Sequence, residues 1–183
     1  EGRCLDEKAA QEILDRLQAH PQGQIAESKK NRKKEAQRLP LSLSALQVLA
    51  GKRYGYTPQQ VLDTAQELYE RKLTTYPRSD CEYLPLNQRK DSQRIIANIQ
   101  QIPGKLSEWA AQADTQIKSR AWNNSKITAH HAIIPTTVSC PFSKLSTMQQ
   151  HIYGLVAQAY LAQFYPVHEY DQTRILIEAA DET

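Results

Sequence analysis

Residues 146–166 read STMQQHIYGLVAQAYLAQFYP, and this stretch is the clearest helix signal in the chain. Ser146 and Gln149 have the spacing of a capping box, in which each side chain accepts a hydrogen bond from the other residue's backbone N–H. Pro166 ends the pattern. Apolar residues recur at helical spacing between these ends, at Ile152, Leu155, Val156, Ala159, Tyr160 and Phe164. The stretch therefore predicts a helix with one broad buried face.

Further helical periods lie upstream of this helix, separated by turn residues. The expected helices cover residues 5–19, 42–55, 57–71 and 87–101, with a short one at 107–110 that Ser107 would cap. Ser42 and Ser44 are possible N-caps of the second helix, while Thr57 and Gln60 form a capping box for the third. The buried stripe expected on the third helix consists of Val61, Leu62, Ala65, Leu68 and Tyr69.

Two other segments look extended. Residues 167–179 have the alternation of a strand, with Ile175 and Ile177 on one face. Residues 28–38 carry six basic side chains against one acid, Glu35, and almost nothing apolar to bury. This basic segment faces either solvent, as an edge strand or linker, or phosphates, and a localisation signal is a third possibility. The chain is therefore expected to have an α+β fold that is mainly α.

Composition narrows the class of protein. The 183 residues are 40% apolar and 23% charged, which excludes wholesale disorder. The sequence contains neither an apolar run of about 20 residues nor a signal-peptide stretch, so we expect a soluble protein that is not secreted. A net charge of +3 permits an anionic partner without demanding one. Three scattered cysteines fit a reducing compartment, and both chain ends suggest an excised piece of a longer protein.

Candidate chemistry is concentrated at residues 74–80, TTYPRSD. Pro77 favours an extended backbone at Tyr76, and alternate residues of an extended segment project the same way. Tyr76 and Arg78 can therefore address one phosphate. Ionising a tyrosine at pH 7 costs about 4 kcal/mol, and a nearby cation lowers that cost. The alternative is that Tyr76 is a core or rim residue, as most tyrosines are.

A second candidate is the histidine pair, His130 and His131, in residues 128–136, TAHHAIIPT. Adjacent residues of an extended segment point in opposite directions, so His130 and His131 do not suit one metal ion. One of them could bind a phosphate or transfer a proton, and both could instead be structural. No metal or nucleotide motif is recognisable in the sequence, so no metal ligand is assigned.

Together these segments resemble a known family. Residues 73–85, LTTYPRSDCEYLP, look like the active-site tyrosine motif of type IA DNA topoisomerases, and YPRSD looks like the bacterial topoisomerase III branch. Residues 129–136, AHHAIIPT, are similar to a second motif of that branch. Residues 40–47, PLSLSALQ, resemble the block that opens the tyrosine-bearing domain. The agreement spans about 40–166 in the right order.

The resemblance implies an enzyme that cuts one DNA strand, passes another through the gap and reseals it. It implies Tyr76 as the nucleophile of a 5′-phosphotyrosyl bond, Arg78 as the group that holds the scissile phosphate, and His130 as an aid at that phosphate. His131 has less support. The neighbours expected to shape the pocket and contact DNA are Thr75, Ser79 and Asp80.

The resemblance also implies a domain layout. Residues 40–165 would form a helical, catabolite-activator-like tyrosine domain between two parts of an incomplete β arch domain, residues 1–39 and 166–183. Residues 29–34 would lie on an outgoing strand, and residues 167–179 on a returning strand that could pair with it.

Cofactor and partners follow from the same resemblance. The family's acidic metal-binding domain is absent from this sequence, so no cofactor is expected in this chain, while magnesium is implied for the full-length enzyme. The implied partners are single-stranded DNA and the missing domain of the same polypeptide, with no membrane. The implied location is the bacterial cytoplasm, at the nucleoid.

Two other functions stay open at the sequence level. The helices at 42–55 and 57–71 could form a helix-turn-helix DNA-binding module in which Tyr76 is structural. The second helix offers Gln59, Gln60 and Asp63 near its start but no base before Arg71, which weakens that alternative. A metal-independent phosphodiesterase using Tyr76 and His130 is the third possibility.

Overall fold

The computed structural model describes residues 4–127 and 129–179. These residues form two compact units. The larger unit is Ala36–His168, and the smaller one contains the described residues up to Glu35 and from Glu169 onward.

Helices account for most of the regular structure, as the periodicity predicts. In chain order the elements are α1 (Glu7–Ala19), β1 (Gln24–Glu35), α2 (Leu43–Tyr54), α3 (Pro58–Glu70), α4 (Ser92–Gln100), α5 (Lys105–Gln112), α6 (Thr147–Leu161) and β2 (His168–Glu178). Short 3-10 turns cover Leu86–Asp91, Asn124–Lys126, Phe142–Lys144 and Ala162–Phe164. The prediction of a mainly α, α+β fold is confirmed.

Local side chains begin and end several helices at the predicted places. Ser42 caps α2 by accepting a hydrogen bond from the backbone N–H of Ala45, and Gly55 ends α2 in the left-handed conformation with φ of 74°. The predicted capping boxes are present at α3, with Thr57 and Gln60, and at α6, with Ser146 and Gln149. Each cap satisfies N–H groups that a helix start otherwise leaves unpaired.

Helix α6 is central to the core of the larger unit. It packs against α2, α3 and α5, while α4 packs against α5. The side chains on α6 and just beyond it that are at most 2% exposed are Ile152, Tyr153, Leu155, Val156, Ala157, Tyr160, Leu161, Gln163 and Phe164. Burying apolar side chains of this size contributes about 1.5–3 kcal/mol each, which makes this helix the main hydrophobic support of the unit.

Gln163 is a polar residue inside this core, and its amide has hydrogen-bond partners on both sides. Its Nε2 donates to the Arg38 carbonyl at 2.7 Å and to the Ala159 carbonyl at 2.9 Å. Its Oε1 accepts from the Ser119 hydroxyl at 2.8 Å. Because the amide is satisfied, its burial is not penalised, and it ties the end of α6 to two distant segments.

Three details of the predicted helices were wrong. The expected helix at 87–101 is a 3-10 turn followed by α4. Helix α5 begins at Lys105, two residues before the expected cap, because Gly104 starts it with φ of 93°. The Ser107 hydroxyl donates to the Gln100 carbonyl instead. Tyr69, expected in the buried stripe of α3, is 39% exposed.

The smaller unit contains α1 and a two-stranded antiparallel sheet of β1 and β2. Ion pairs of Lys30 with Asp171 and of Lys34 with Glu169 fix which parts of the strands face each other. The predicted pairing of the basic strand with the returning strand is therefore present. Helix α1, capped by Asp6, has no buried residue within the described structure.

The three cysteines have no disulfide: Cys4 is exposed, Cys81 is buried and Cys140 is half-buried. Burial raises the pKa of the Cys140 thiol to about 11, so this thiol stays protonated at neutral pH. Among the described helices, none has the length and apolar character required to span a bilayer.

Candidate active site

The segment that carries Tyr76 begins where α3 ends. The Leu73 N–H donates to the Leu68 carbonyl at 2.9 Å and the Lys72 N–H donates to the Tyr69 carbonyl at 2.7 Å, which is the Schellman pattern. Lys72 takes the left-handed position of this motif, with φ of 60°, where glycine is usual. Leu68 and Leu73 are both buried, so the turn is fixed by hydrophobic contact as well. The chain therefore leaves α3 in a defined direction.

Backbone hydrogen bonds join this segment to residues 129–136, more than fifty positions later in the chain. The Thr75 N–H donates to the Ile134 carbonyl at 2.9 Å, and the Thr136 N–H donates to the Leu73 carbonyl at 3.1 Å. Thr74 and Pro135 form an antiparallel bridge. The bridges in this region are isolated, at Trp122, Ile133 and Pro135, and Asn124–Lys126 form a 3-10 turn, which agrees with the lack of a helical period.

The third sequence motif, residues 40–47, lies against the same two segments. The Ile133 N–H donates to the Leu41 carbonyl at 2.9 Å, and the Leu43 N–H donates to the Ser79 carbonyl at 2.8 Å. The Ser42 hydroxyl, which caps α2, also donates to the Glu82 carboxylate at 3.2 Å. Three motifs that are separate in the sequence therefore meet in one place in the fold.

Tyr76 lies at this meeting point and is 36% exposed. The His130 ring lies against the Tyr76 ring, with 4.5 Å between ring centroids and an angle of 77° between planes. The Tyr69 ring packs edge-on against the Tyr76 ring, with 5.7 Å between ring centroids. Packing on the ring leaves the phenol partly open to solvent, which a tyrosine that attacks a phosphate requires.

The residues after Tyr76 alternate between exposed and buried. Arg78 and Asp80 are exposed, whereas Pro77 and Ser79 are buried, Ser79 to 2%. Arg78 makes no hydrogen bond or ion pair with residues that the structure describes, so its guanidinium is available to an external anion. The Ser79 hydroxyl accepts from the Cys81 N–H at 3.2 Å. The buried residues anchor the segment and the exposed ones are open to a ligand.

The two histidines have different partners. His130 is exposed and contacts Tyr76, whereas His131 is half-buried and bonded to Gln88 and Ala132. The Nδ1 of His131 lies 2.8 Å from the Ala132 carbonyl, so Nδ1 carries a proton, and the Gln88 amide donates to Nε2 at 2.9 Å. Burial lowers the pKa of His131, the nearby His130 lowers it further, and the Ala132 carbonyl partly opposes this. His131 is therefore neutral at pH 7 and holds the loop.

A metal ion does not fit these residues. Within residues 4–127 and 129–179, no three His, Cys, Asp or Glu side chains lie together as ligands for a metal ion. Magnesium needs a set of oxygen ligands, and the site around Tyr76 does not supply one.

The helix-turn-helix alternative gains no support from the start of α3. Gln59 donates to the Asp63 carboxylate at 2.7 Å, and Gln60 is used in the capping box with Thr57. These are the polar side chains that would read base edges from the start of a recognition helix. Both are engaged in local hydrogen bonds.

Some residues of the site were missed by the sequence interpretation. Tyr69 was assigned to the core because it has helical spacing with Leu62 and Ala65, yet its ring packs against Tyr76. Gln88 and Glu82 gave no signal at all, because their partners, His131 and Ser42, lie about 40 residues away. The one sequence signal for Tyr69 was its position in the last turn of its helix, close to the segment that carries Tyr76.

Comparison with known proteins gives the family. The family model described as DNA topoisomerase matches residues 1–183. DNA topoisomerase 3 of Vibrio cholerae is 41% identical over 181 residues, which covers 98% of this chain and 28% of that protein. DNA topoisomerase 3 of Bacillus subtilis is 35% identical over 94% of this chain and 24% of that protein.

A solved structure shows the same fold. The full-length topoisomerase I from Thermotoga maritima superposes with a TM-score of 0.65 at 22% identity, covering 97% of this chain and 28% of that chain. The chain therefore belongs to the type IA DNA topoisomerase family. Within that family it is similar to the bacterial topoisomerase III branch, and it spans about a quarter of the length of those relatives.

Proposed function

We propose that this chain carries the strand-cutting tyrosine of a topoisomerase III-like enzyme, which cleaves and rejoins single DNA strands and allows another strand to pass. The main support is the meeting of three separate segments at a partly exposed tyrosine, Tyr76, with His130 packed on its ring. The relatives named DNA topoisomerase 3 agree with this proposal.

The proposed chemical step is attack of the Tyr76 phenolic oxygen on a DNA phosphorus. A bond forms between phosphorus and that oxygen, and the bond from phosphorus to the 3′ oxygen of the preceding nucleotide breaks. The phenolic proton ends on the 3′ oxygen, which leaves a 5′-phosphotyrosyl link. Rejoining is the reverse reaction, and one phosphodiester replaces another, so no ATP is needed.

Arg78 and His130 would act at the same phosphate. The guanidinium of Arg78 can hold two phosphate oxygens at once and offset the charge that develops during attack. The His130 imidazole, which packs on the Tyr76 ring, would bind the phosphate or move a proton. Both side chains are exposed, which supports a contact with DNA.

The neighbours divide into two roles. Asp80 is exposed, and we infer that it contacts the strand. Thr75 and Ser79 have their hydroxyls in hydrogen bonds to Ala132, Ile134 and Cys81, so they would shape the pocket by holding the segment in place. Because Ser79 is 2% exposed, we infer that it shapes the pocket without contacting DNA itself.

Other parts of the natural polypeptide would complete the active site. From the family to which the chain belongs, we infer that an acidic domain of the natural polypeptide would hold magnesium near the reacting phosphate. The helical unit would be the gate that opens, and the unit with β1 and β2 would be part of the arch that hinges it. A DNA substrate would bring the protein to the nucleoid, in the bacterial cytoplasm.

The test is the covalent adduct between the natural polypeptide and a labelled single-stranded oligonucleotide. Tyr76→Phe retains the ring packing but lacks the attacking oxygen, so it should abolish the adduct and leave oligonucleotide binding largely intact. Arg78→Lys should reduce the adduct, since a point charge replaces a planar fork at the phosphate. Tyr69→Phe is the matched control, because it keeps the edge contact and should form the adduct normally.

A persisting adduct in Tyr76→Phe would assign the nucleophile to another residue and overturn the proposal. The 183-residue chain by itself is expected not to relax supercoiled DNA. Repeated hydrolysis of an oligonucleotide by this chain alone would favour the metal-independent phosphodiesterase instead.

A further inference from the structure

Strand β1 directs its basic side chains to two different faces. Lys30, Arg32 and Lys34 share one face, since alternate residues of a strand point the same way. All three are ion-paired with Glu169 or Asp171 of β2, at 2.8–3.3 Å. We call this the paired face. Its positive charge is largely offset within the sheet.

The other face, which we call the basic face, consists of Lys29, Asn31 and Lys33 of β1 with Tyr170, Gln172 and Arg174 of β2. All six residues are exposed. The two lysines and the arginine have no ion pair within the part of the chain that the structure describes. The acids that share this face lie toward its ends, at Glu27, Glu35 and Glu178. Its centre is therefore positive, polar and open.

The side-chain types on the basic face indicate which partner would fit. The centres of protein–protein interfaces are depleted in lysine and enriched in apolar side chains, which this face lacks at its centre. Nucleic-acid interfaces are instead polar and strongly positive. Asn31 and Gln172 can donate to phosphate or sugar oxygens.

We propose that the basic face of the two strands is a second DNA-contacting surface, which binds the phosphate backbone of a single strand without reading its sequence. Lys29 and Lys33 are about 13 Å apart along the strand, so each would contact a different phosphate. The proposal rests on the proposed DNA substrate, and it adds a surface that takes no part in the chemistry at Tyr76.

The test compares two double variants of the natural polypeptide. Lys29→Gln with Lys33→Gln removes two charges from the basic face, and Lys30→Gln with Lys34→Gln removes two from the paired face of the same strand. Affinity for a single-stranded oligonucleotide is measured over a range of salt concentrations. Each lost phosphate contact lowers the slope of log affinity against log salt by about 0.7, so the first variant should lose about 1.4.

The slope of log affinity against log salt should fall much less in the paired-face variant, because Glu169 and Asp171 already offset Lys30 and Lys34 in the wild type. Lys29→Arg with Lys33→Arg keeps the charge and should restore the wild-type slope. Equal slopes in the two glutamine variants would overturn the proposal, since that result reflects net charge alone. An unchanged slope in the basic-face variant would also overturn it and would favour an acidic protein segment as the occupant.

Adduct formation by Tyr76 is scored separately in the same variants, using a short oligonucleotide at low salt. A normal adduct with an unchanged slope would overturn the second surface and leave the proposed function intact. A reduced slope combined with an adduct that survives Tyr76→Phe would leave the surface standing and overturn the assignment of the nucleophile.

Discussion

Thr75, immediately before Tyr76, is bound to the second motif by both its backbone and its side chain. Its hydroxyl donates to the Ala132 carbonyl at 3.3 Å and accepts from the Ile134 N–H at 3.0 Å. Its own N–H donates to the Ile134 carbonyl. These bonds hold the backbone that presents Tyr76 next to the loop that presents His130.

Replacing Thr75 with valine tests the contribution of its hydroxyl to stability. Thr75→Val nearly keeps the shape but leaves the buried Ile134 N–H without that acceptor, so the free energy of unfolding should fall by about 1–3 kcal/mol. Urea denaturation of the 183-residue chain measures this change. Thr75→Ser keeps the hydroxyl and should cost less. A valine variant as stable as the serine variant would show that these bonds do not hold the segment.

His131 makes stability depend on pH. Because burial lowers its pKa in the folded chain below the ordinary 6.5, the unfolded chain binds this proton more readily. The stability that neutral His131 provides is complete above about pH 6.5 and declines as the pH falls below it. We expect the free energy of unfolding to drop between about pH 7.5 and about pH 5.

His131→Gln should make that drop smaller, because the titrating group is gone. Denaturation curves at the two pH values provide the measurement. His20→Gln removes an exposed histidine of the smaller unit and should retain the wild-type drop. An identical drop in His131→Gln and the wild type would contradict the pH role of His131.

At the scale of elements, glycine has opposite effects on stability at two positions, inside α6 and at the end of α2. Gly154 lies inside α6, and a Cβ added there would meet no atom within 4 Å apart from its chain neighbours and the backbone of its own helix. Gly55 ends α2 with φ of 74°, a conformation that side chains disfavour. The same substitution should therefore have opposite effects at the two positions.

Gly154→Ala should raise the free energy of unfolding by about 0.5–1 kcal/mol, since alanine loses less backbone freedom than glycine inside a helix. Gly55→Ala should lower it by about 1–2 kcal/mol through strain in the left-handed conformation. Thermal or urea unfolding of both variants measures the difference. A loss of stability in Gly154→Ala would mean that α6 packs more closely there than its geometry shows.

Helix boundaries differ in how well the sequence predicts them. The boxes at Thr57 with Gln60 and at Ser146 with Gln149 were predicted because each cap and its partner are three residues apart. The start of α5 was missed because Gly104, with a positive φ of 93°, sets it without any side-chain cap. The exposure of Tyr69 was missed because helical spacing predicts which face of a helix is buried, but it does not show how far along the helix the core covers that face.

At the scale of the whole molecule, the hydrophobic core formed by the described residues lies in the larger unit. The residues of the core cluster fall between Leu41 and Phe164, inside the larger unit. The described residues of α1, β1 and β2 are exposed or at most half-buried. A two-stranded sheet and a 13-residue helix are each marginally stable without further packing.

Hydrogen exchange should therefore divide the chain into two classes. Backbone amides of α6 should be protected close to the free energy of global unfolding, while amides of β1, β2 and α1 should exchange much faster. Mass spectrometry of peptides from the exchanged 183-residue chain measures both. Equal protection of β2 and α6 would show that the smaller unit is stabilised by packing that its exposure does not reveal.

The sequence by itself determined the helices of the core, most of their caps and the three motifs that resemble the family. Capping and amphipathic spacing involve residues only a few positions apart, so they can be predicted from the sequence. The pairing of β1 with β2 was also predicted, from the resemblance.

Only the tertiary structure decided that the motifs surround Tyr76, that His131 is held by Gln88, and that the basic residues of β1 divide into a paired and an open face. Each of these features depends on partners more than 35 residues apart in the chain. Such hydrogen bonds and ion pairs form only after the core has brought those segments together. The spacing of neighbouring residues in the sequence therefore does not predict them.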